Sequence, residues 1–442
     1  DFIGEAVAPA VFPDHILRFR NDRWAPAVGL DTLDDAAWID HFGRFTPLPD
    51  NLPQPLALRY HGHQFRSYNP DIGDGRGFLF AQLRDNAGRL LDLGTKGSGQ
   101  TPYSRFGDGR LTLKGGVREV LATEMLEALG VETSKSFSLI ETGERLYRND
   151  EPSPTRSSVL VRLSHGHIRI GSFQRLAAIG DKDAMTRLVD YALRHFHGDT
   201  PGKDGPARLI AHMVAKSARL AASYMMAGFV HGVLNSDNIA ISAESFDYGP
   251  WRVTPHRGPG LTPPHFRQTG LHPLPRQAKA IHWDVVQLAV ALRQLEEPEP
   301  LIAPIEGFPA AYEEALRDAL LGRLGVRSRG AEADDALVEA MIDALHQSKV
   351  LIDRFFFDWR GGRLRTEGYA DPVFERFRKA VAVYEPTSLP EHDYWRDAEP
   401  CSMHIDEVET IWGHIDQNDD WIPFNAKITE IRRMGRAMRD EA

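Results

Sequence analysis

"HGVLNSDNIAISAESFDYGP", residues 231–250, decides how this chain is read. Phosphate-handling enzymes often carry His-Gly-Asp, an Asn five residues after that Asp, and a later Asp-Phe-Gly. Here Asn238 holds the Asn position, and Asp247-Tyr248-Gly249 stands in place of the last triplet. The first acid is missing, because Val233 occupies its position. A hydroxyl that attacks phosphorus must lose its proton to some group. Asp237, directly before Asn238, is the nearest candidate for a displaced general base.

The spacing predicts a short antiparallel hairpin, Ile239–Ile241 against Ser245–Phe246, turning between Ser242 and Ala243. Asn238 then opposes Asp247, and directly opposed residues lie roughly 4.5–5.5 Å apart on one face. An amide oxygen beside a carboxylate suits Mg²⁺, or Mn²⁺ in its place. Such hard cations take one or two protein oxygens and fill the shell with phosphate and water. Asn and Asp also mark turn-rich surface loops, and "NSDN" alone fits that reading. The flanking His231-Gly232 and Tyr248-Gly249 favour the site.

A second cluster lies upstream. In "IGDGRGFLFAQL", Gly73, Gly75 and Arg76 open a strand, where glycines allow close backbone approach and N–H groups can meet phosphate. "DLGTKGSGQTPYSRFGDGR" places Lys96 at a strand end. A lysine there is ordinarily a solvated edge charge. Glu119, however, falls in the next helix on a face with Ala122 and Leu126, and a buried Glu there can pair with Lys96 and aim it at phosphates. "VRLSHGHIRIG" adds Arg162 and Arg169. His61, His63, His165 and His167 lack a further Cys or His cluster and read as polar or capping residues.

The whole chain has 442 residues, 62 acidic against 52 basic, for a net charge of −10. That balance argues against a nucleic-acid binder, while leaving local basic clusters free to hold a small anion. No apolar run reaches the length of a membrane span. Cys401 is the single cysteine, so no internal disulfide is available and a cytoplasmic enzyme is expected, with a monomer favoured.

Hydrophobic periodicity divides the chain into four parts. Residues 1–50 read as an irregular N-terminal wrap with a helix near 33–42. Residues 51–165 read as a β-rich nucleotide-binding lobe, with strands at 78–83, 90–95 and 157–164, a hairpin turning at Thr142-Gly143, and a helix stopped by Gly130. Residues 166–400 read as a helical catalytic lobe with helices near 183–197, 206–227, 277–297, 309–324, 333–348 and 371–384. A Pro/Gly/His-rich loop interrupts it at 249–275. Residues 401–442 form a C-terminal extension ending in a basic helix. The fold class is α+β, two-lobed, with the motifs at the junction and hence a cleft there.

The strings "YHGHQF", "GDGRG", "GTKGSGQTPYSRFGDGR", "VREVL", "VRLSHGHIRIGSF", "HGVLNSDN", "DYGPW" and "QAKAIHWDVVQLAVAL" occur in order over residues 60–295. Together they resemble the selenoprotein O (YdiU) family of kinase-like protein adenylyltransferases. The resemblance implies a protein-kinase-like fold that moves AMP from ATP to protein hydroxyls. On the matching positions it implies Asp237 as proton acceptor and Asn238 and Asp247 as metal ligands. It implies nucleotide contacts from Gly73, Gly75, Arg76, Lys96, Asp108, Gly109, Arg162, Arg169 and Asp247, with Glu119 as partner of Lys96. ATP and protein substrates are the implied partners. The chain departs from the family at His61-Gly62-His63, at Gly115-Gly116 and after Trp251, and it lacks the selenocysteine or cysteine pair of some members. The residues by themselves also fit a γ-phosphate kinase or an ATP-binding pseudokinase.

Overall fold

The computed structural model describes residues 2–257 and 275–439. Most of the 249–275 loop expected from sequence lies outside them. The first lobe is built on one antiparallel sheet. Its strands run in spatial order Gly4–Ala6, Leu56–Leu58, Leu79–Arg84, Leu90–Lys96, Thr155–Ser164, Lys135–Leu146 and Ile16–Arg20, and Leu111–Thr112 adds to the Thr155–Ser164 strand. Residues 1–50 are therefore more than a wrap, since they supply both edge strands.

Strand parity sorts the two faces. Leu91 and Leu93, with Val159, Val161 and Leu163, point to an outer cluster roofed by Trp38 and Phe42. Trp38 stacks on Phe137 at 4.9 Å between ring centroids, and Phe42 meets the same ring edge-on at 5.5 Å. The opposite parity carries Gly94, Lys96, Leu160 and Arg162, with Leu160 paired to Lys96 and Arg162 to Gly94. That inner face meets the helix Leu113–Ala128 and the second lobe.

Two local expectations are corrected. Lys135–Leu146 is one continuous strand rather than a hairpin. Gly143 takes φ 75°, and residues 142–144 bulge opposite the single Ser157. A bulge absorbs the turn-forming Thr-Gly pair because the strand has a partner on each side. The 239–246 hairpin also does not form. Ala240 bridges Arg169, and Ser245 bridges Thr133. Backbone groups on both arms are satisfied outward, Ile241 N to Ile168 O at 2.8 Å and Ser245 N to Glu132 O at 2.9 Å, and only the tight turn bond from Ala243 N to Ala240 O at 2.9 Å spans the two.

The second lobe is helical. Gly205–Ala227 runs through its centre, with Pro206 in the first turn and Gly228 closing the end at φ 65°. Arg276–Leu292 and Phe308–Leu324 pack on it. Helices Pro298–Glu306, Ile352–Asp358 and Ile405–Asn418 add to those expected. The C-terminal helix Ile422–Met438 turns back to the first lobe and lies along Leu113–Ala128. There Arg432 donates to both carboxylate oxygens of buried Glu124 at 2.8 Å, and a Cβ on Gly435 would come within 3.2 Å of Ala128.

Helix Ile170–Ile179 starts the second lobe. His61 N donates to Gly171 O at 3.1 Å, and a Cβ on Gly171 would stand 2.1 Å from the His61 carbonyl oxygen. Neither backbone can yield without breaking the junction. Gly171→Ala is therefore expected to lower stability by about 1–3 kcal/mol, as overpacking does. A urea melt with an unchanged midpoint would contradict this close approach.

Candidate active site

Lys96 ends its strand on the inner face and is 4% exposed. Its ammonium donates to Glu119 Oε1 and, at 2.6 Å, to Asp247 Oδ1. Glu119 is delivered by a helix almost wholly buried along its length, capped by the Thr112 hydroxyl, which accepts from Gly115 N at 3.1 Å. Gly116 lets that helix close on the sheet, since a Cβ there would stand 2.4 Å from Leu139. The pairing expected from sequence is thus present, and the lysine is not an edge charge.

Asp247 has φ 64°, a left-handed conformation uncommon for a residue with a Cβ. Strain of this kind collects at ligand sites. Burial alone would raise its pKa, but Lys96, Arg162, Arg169 and Arg76 outweigh that and hold the carboxyl well below the usual carboxylate range. Arg162 Nη1 lies 3.3 Å from Asp247 Oδ1. Arg169 reaches Asp237 O at 3.0 Å and Asp74 Oδ1 at 3.1 Å, and its guanidinium lies 4.4 Å from the Tyr60 ring centre. Lysine and both arginines therefore converge on one place.

Asp237 lies in the 3-10 turn Ser236–Asn238, buried, and among the described residues its Oδ1 has no hydrogen-bond partner. Burial raises its pKa, and the field of Arg169 pulls against that without cancelling it. An unpaired buried carboxylate oxygen has a large desolvation cost and marks a group awaiting a partner.

These groups line a cavity of about 710 Å³ between the lobes. Gly73, Gly75, Arg76, Lys96, Asp108, Gly109, Arg162, Arg169, Asp237 and Asp247 all border it. Glu119 stands behind Lys96. Asn238 does not border the cavity; its amide nitrogen donates to Val233 O at 3.4 Å. The unformed hairpin explains this, since nothing holds Asn238 opposite Asp247. Seven cationic side chains face the cavity against four carboxylates, in a chain whose net charge is −10. Such a pocket concentrates anions.

The glycines have a role the sequence did not reveal. A Cβ on Gly73 would strike the Tyr103 ring at 2.5 Å, and one on Gly75 would lie 2.9 Å from the Tyr103 carbonyl oxygen. They admit the 101–104 turn, which Thr101 and Ser104 fasten to Asp74 O and Gly75 O, each at 2.5 Å. Asp108 forms a two-pronged pair with Arg148 at 2.8 and 3.0 Å on the rim. Sequence reading missed Asp74, Tyr60, Arg105 and Arg148. Three of them had a signal, Tyr60 opening "YHGHQF", Asp74 inside "GDGRG" and Arg105 inside "GTKGSGQTPYSRFGDGR"; Arg148 alone lies outside these strings. His61 and His63 make ordinary polar contacts, to Tyr68 at 2.6 Å and Gln174 at 2.7 Å.

Among the described residues no group of three or more His, Cys, Asp or Glu converges as a metal cage. The donors still fit a hard cation accompanied by phosphate. Both ion pairs of Asp247 run through Oδ1, which keeps Oδ2 outside them.

The chain matches the family model described as "Protein adenylyltransferase SelO" over residues 2–367. It is 41% identical to the "Protein nucleotidyltransferase YdiU" of Gloeobacter violaceus, over 97% of this chain and 92% of that one. It is 39% identical to the protein of that name from Synechococcus elongatus, over 99% and 94%. For the Pseudomonas aeruginosa relative the figures are 34%, 80% and 73%. A solved structure, ROP2 from Toxoplasma gondii, described as a virulence factor with a protein-kinase fold and no enzymatic activity, covers 67% of this chain at 13% identity. Its TM-score of 0.27 is too low to support any statement about this protein. With nearly its whole length matched to these relatives, the chain belongs to the SelO family of protein adenylyltransferases.

Proposed function

We propose that this enzyme transfers AMP from ATP to a Ser, Thr or Tyr hydroxyl of a protein, with Asp237 taking the hydroxyl proton. The observation that carries the reading is the convergence on one cavity of Lys96, Arg162 and Arg169 with an unpartnered carboxylate oxygen of Asp237. The freed oxygen bonds to the α-phosphorus, the bond from that phosphorus to the α–β bridging oxygen breaks, and pyrophosphate leaves with its electron pair. Lys96, Arg162 and Arg169 stabilise the charge that grows on pyrophosphate. At about 4 Å each such pairing is worth on the order of 4 kcal/mol at an effective dielectric near 20.

Asp247 would hold Mg²⁺ through Oδ2, and Asn238, which does not border the cavity, would join it only by leaving its contact with Val233 O. Such an ion would neutralise phosphate charge. Lys96 and Arg162 also neutralise Asp247. Arg76, Asp108 and Gly109 form the remaining wall, and Gly73 and Gly75 let it fold.

A γ-phosphate transfer would use many of the same groups, but Val233 stands where that chemistry places its base. ATP labelled separately at α and γ separates the two. Label from the α position is expected in protein. Incorporation of γ label alone would refute the proposal.

Asp237→Asn is expected to abolish transfer while leaving ATP affinity within about twofold, because only the proton acceptor changes. Equal loss of binding and transfer would assign Asp237 to nucleotide binding. Lys96→Ala is expected to lower kcat/KM at least about tenfold, or about 1.4 kcal/mol of transition-state stabilisation. An unchanged rate would remove Lys96 from the mechanism.

A further inference from the structure

A second cavity, of about 440 Å³, opens on the other side of the loop that leads into Asp237. Its walls are largely apolar and include Val233, Leu234 and Trp283. Val233, the residue that replaces the expected acid, thus contributes a dry surface.

The partition between the two cavities is the hairpin Gly62–Gln64 and Ser67–Asn69. Gln64 borders the nucleotide cavity, while His63 and Phe65 border the second one. The turn residues Phe65 and Arg66 have φ 50° and 67°. A two-residue turn requires such angles, and Asn-Gly is the usual solution. An aromatic and a long cationic side chain there imply strain held in place by the surroundings. The surroundings are visible. Phe65 N donates to Asn235 Oδ1 at 3.1 Å, and His63 N donates to Ser236 Oγ at 2.8 Å. The tip is stitched to the two residues before Asp237, yet the Phe65 ring is 84% exposed.

The mouth is cationic. Arg66, with its guanidinium 5.7 Å from the Trp283 ring centre, joins Arg276 and Lys279, and all three are exposed. Among the described residues none of the three has an ion-pair partner. Within the wall, Asp284 is 1% exposed, and among the described residues neither carboxylate oxygen has a hydrogen-bond partner. Burial, with the charge of Asp237 added, raises its pKa well above the ordinary value.

We infer that this cavity seats the acceptor protein as an extended acidic segment. One bulky apolar side chain enters between Phe65, Val233, Leu234 and Trp283. Carboxylates flanking the hydroxyl meet Arg66, Arg276 and Lys279. The segment then lies against the loop that carries Asp237, from the side the nucleotide does not use. Charge complementarity favours an acidic partner over a basic one, and the exposed aromatic beside an apolar pocket is the usual anchor of a peptide site. This inference rests on the AMP-transfer reading for its purpose, but its binding step does not require catalysis.

The test uses the full chain and two peptides of equal length, each with one serine and one leucine, flanked by glutamates in one and by lysines in the other. Fluorescence anisotropy without nucleotide reads binding, and α-labelled ATP reads transfer. The wild type is expected to bind the acidic peptide at least about tenfold more tightly. R276E/K279E should lose that preference, and Phe65→Ser should weaken acidic-peptide binding by about tenfold, with ATP affinity kept in both. Equal binding of the two peptides by the wild type, or undiminished acidic-peptide binding by R276E/K279E, overturns the inference. Charge-dependent binding without any transfer of α label would leave the docking site standing and remove the AMP reading. Transfer of α label to whole proteins, with no peptide preference, would do the reverse.

Discussion

The buried ion pair between Lys96 and Glu119, extended by Asp247, is the constraint on which the rest depends. Lys96 and Glu119 are held away from water and Asp247 is partly so, and a buried charge alone would carry a desolvation cost of several kcal/mol. Their mutual neutralisation makes the arrangement tolerable. A strand end supplies the lysine, a buried helix supplies the glutamate, and a residue at positive φ supplies the aspartate. The sheet, the helix and the second lobe must all be in register before these side chains can meet. Charge pairing at the centre thus adds to the apolar cluster that already joins these elements.

The site is built from two kinds of support. The sheet holds Lys96 and Arg162 by parity and register, with an apolar roof of Trp38 and Phe42 on the opposite face. Arg169 and Asp237 instead hang on loops braced by side-chain contacts. Arg169 holds Asp237 O and Asp74, and the 62–69 hairpin holds Asn235 and Ser236. Lys96 and Arg162 thus rest on regular secondary structure, and Arg169 and Asp237 on loops held by side-chain contacts.

The parts legible in the sequence were those with local signals. The alternation in "FLFAQL" and "LLDLGTK" and the turn between them placed two strands to within a residue or two, and with them Lys96. The apolar run after Gly115 placed the helix of Glu119. What the sequence hid was long-range pairing. The strands at 4–6 and 16–20 are short and find their partners far along the chain. Thr142-Gly143 reads as a turn, and only a strand on each side converts it to a bulge. The hairpin imagined at 239–246 failed for a similar reason. Segments 168–170 and 132–134 claimed its backbone groups first, and Asn238 was left off the cavity wall.

The clasp between Arg432 and Glu124 also has a bearing on how the molecule comes into being. The residues that line the cavity between the lobes all lie within the first 250 positions and are made early. The helix that presents Glu119, however, is braced by a residue made more than 300 positions later. A nascent chain can assemble its sheet and still lack the strut on the helix of Glu119, so the Lys96–Glu119 pair gains this last support late in synthesis.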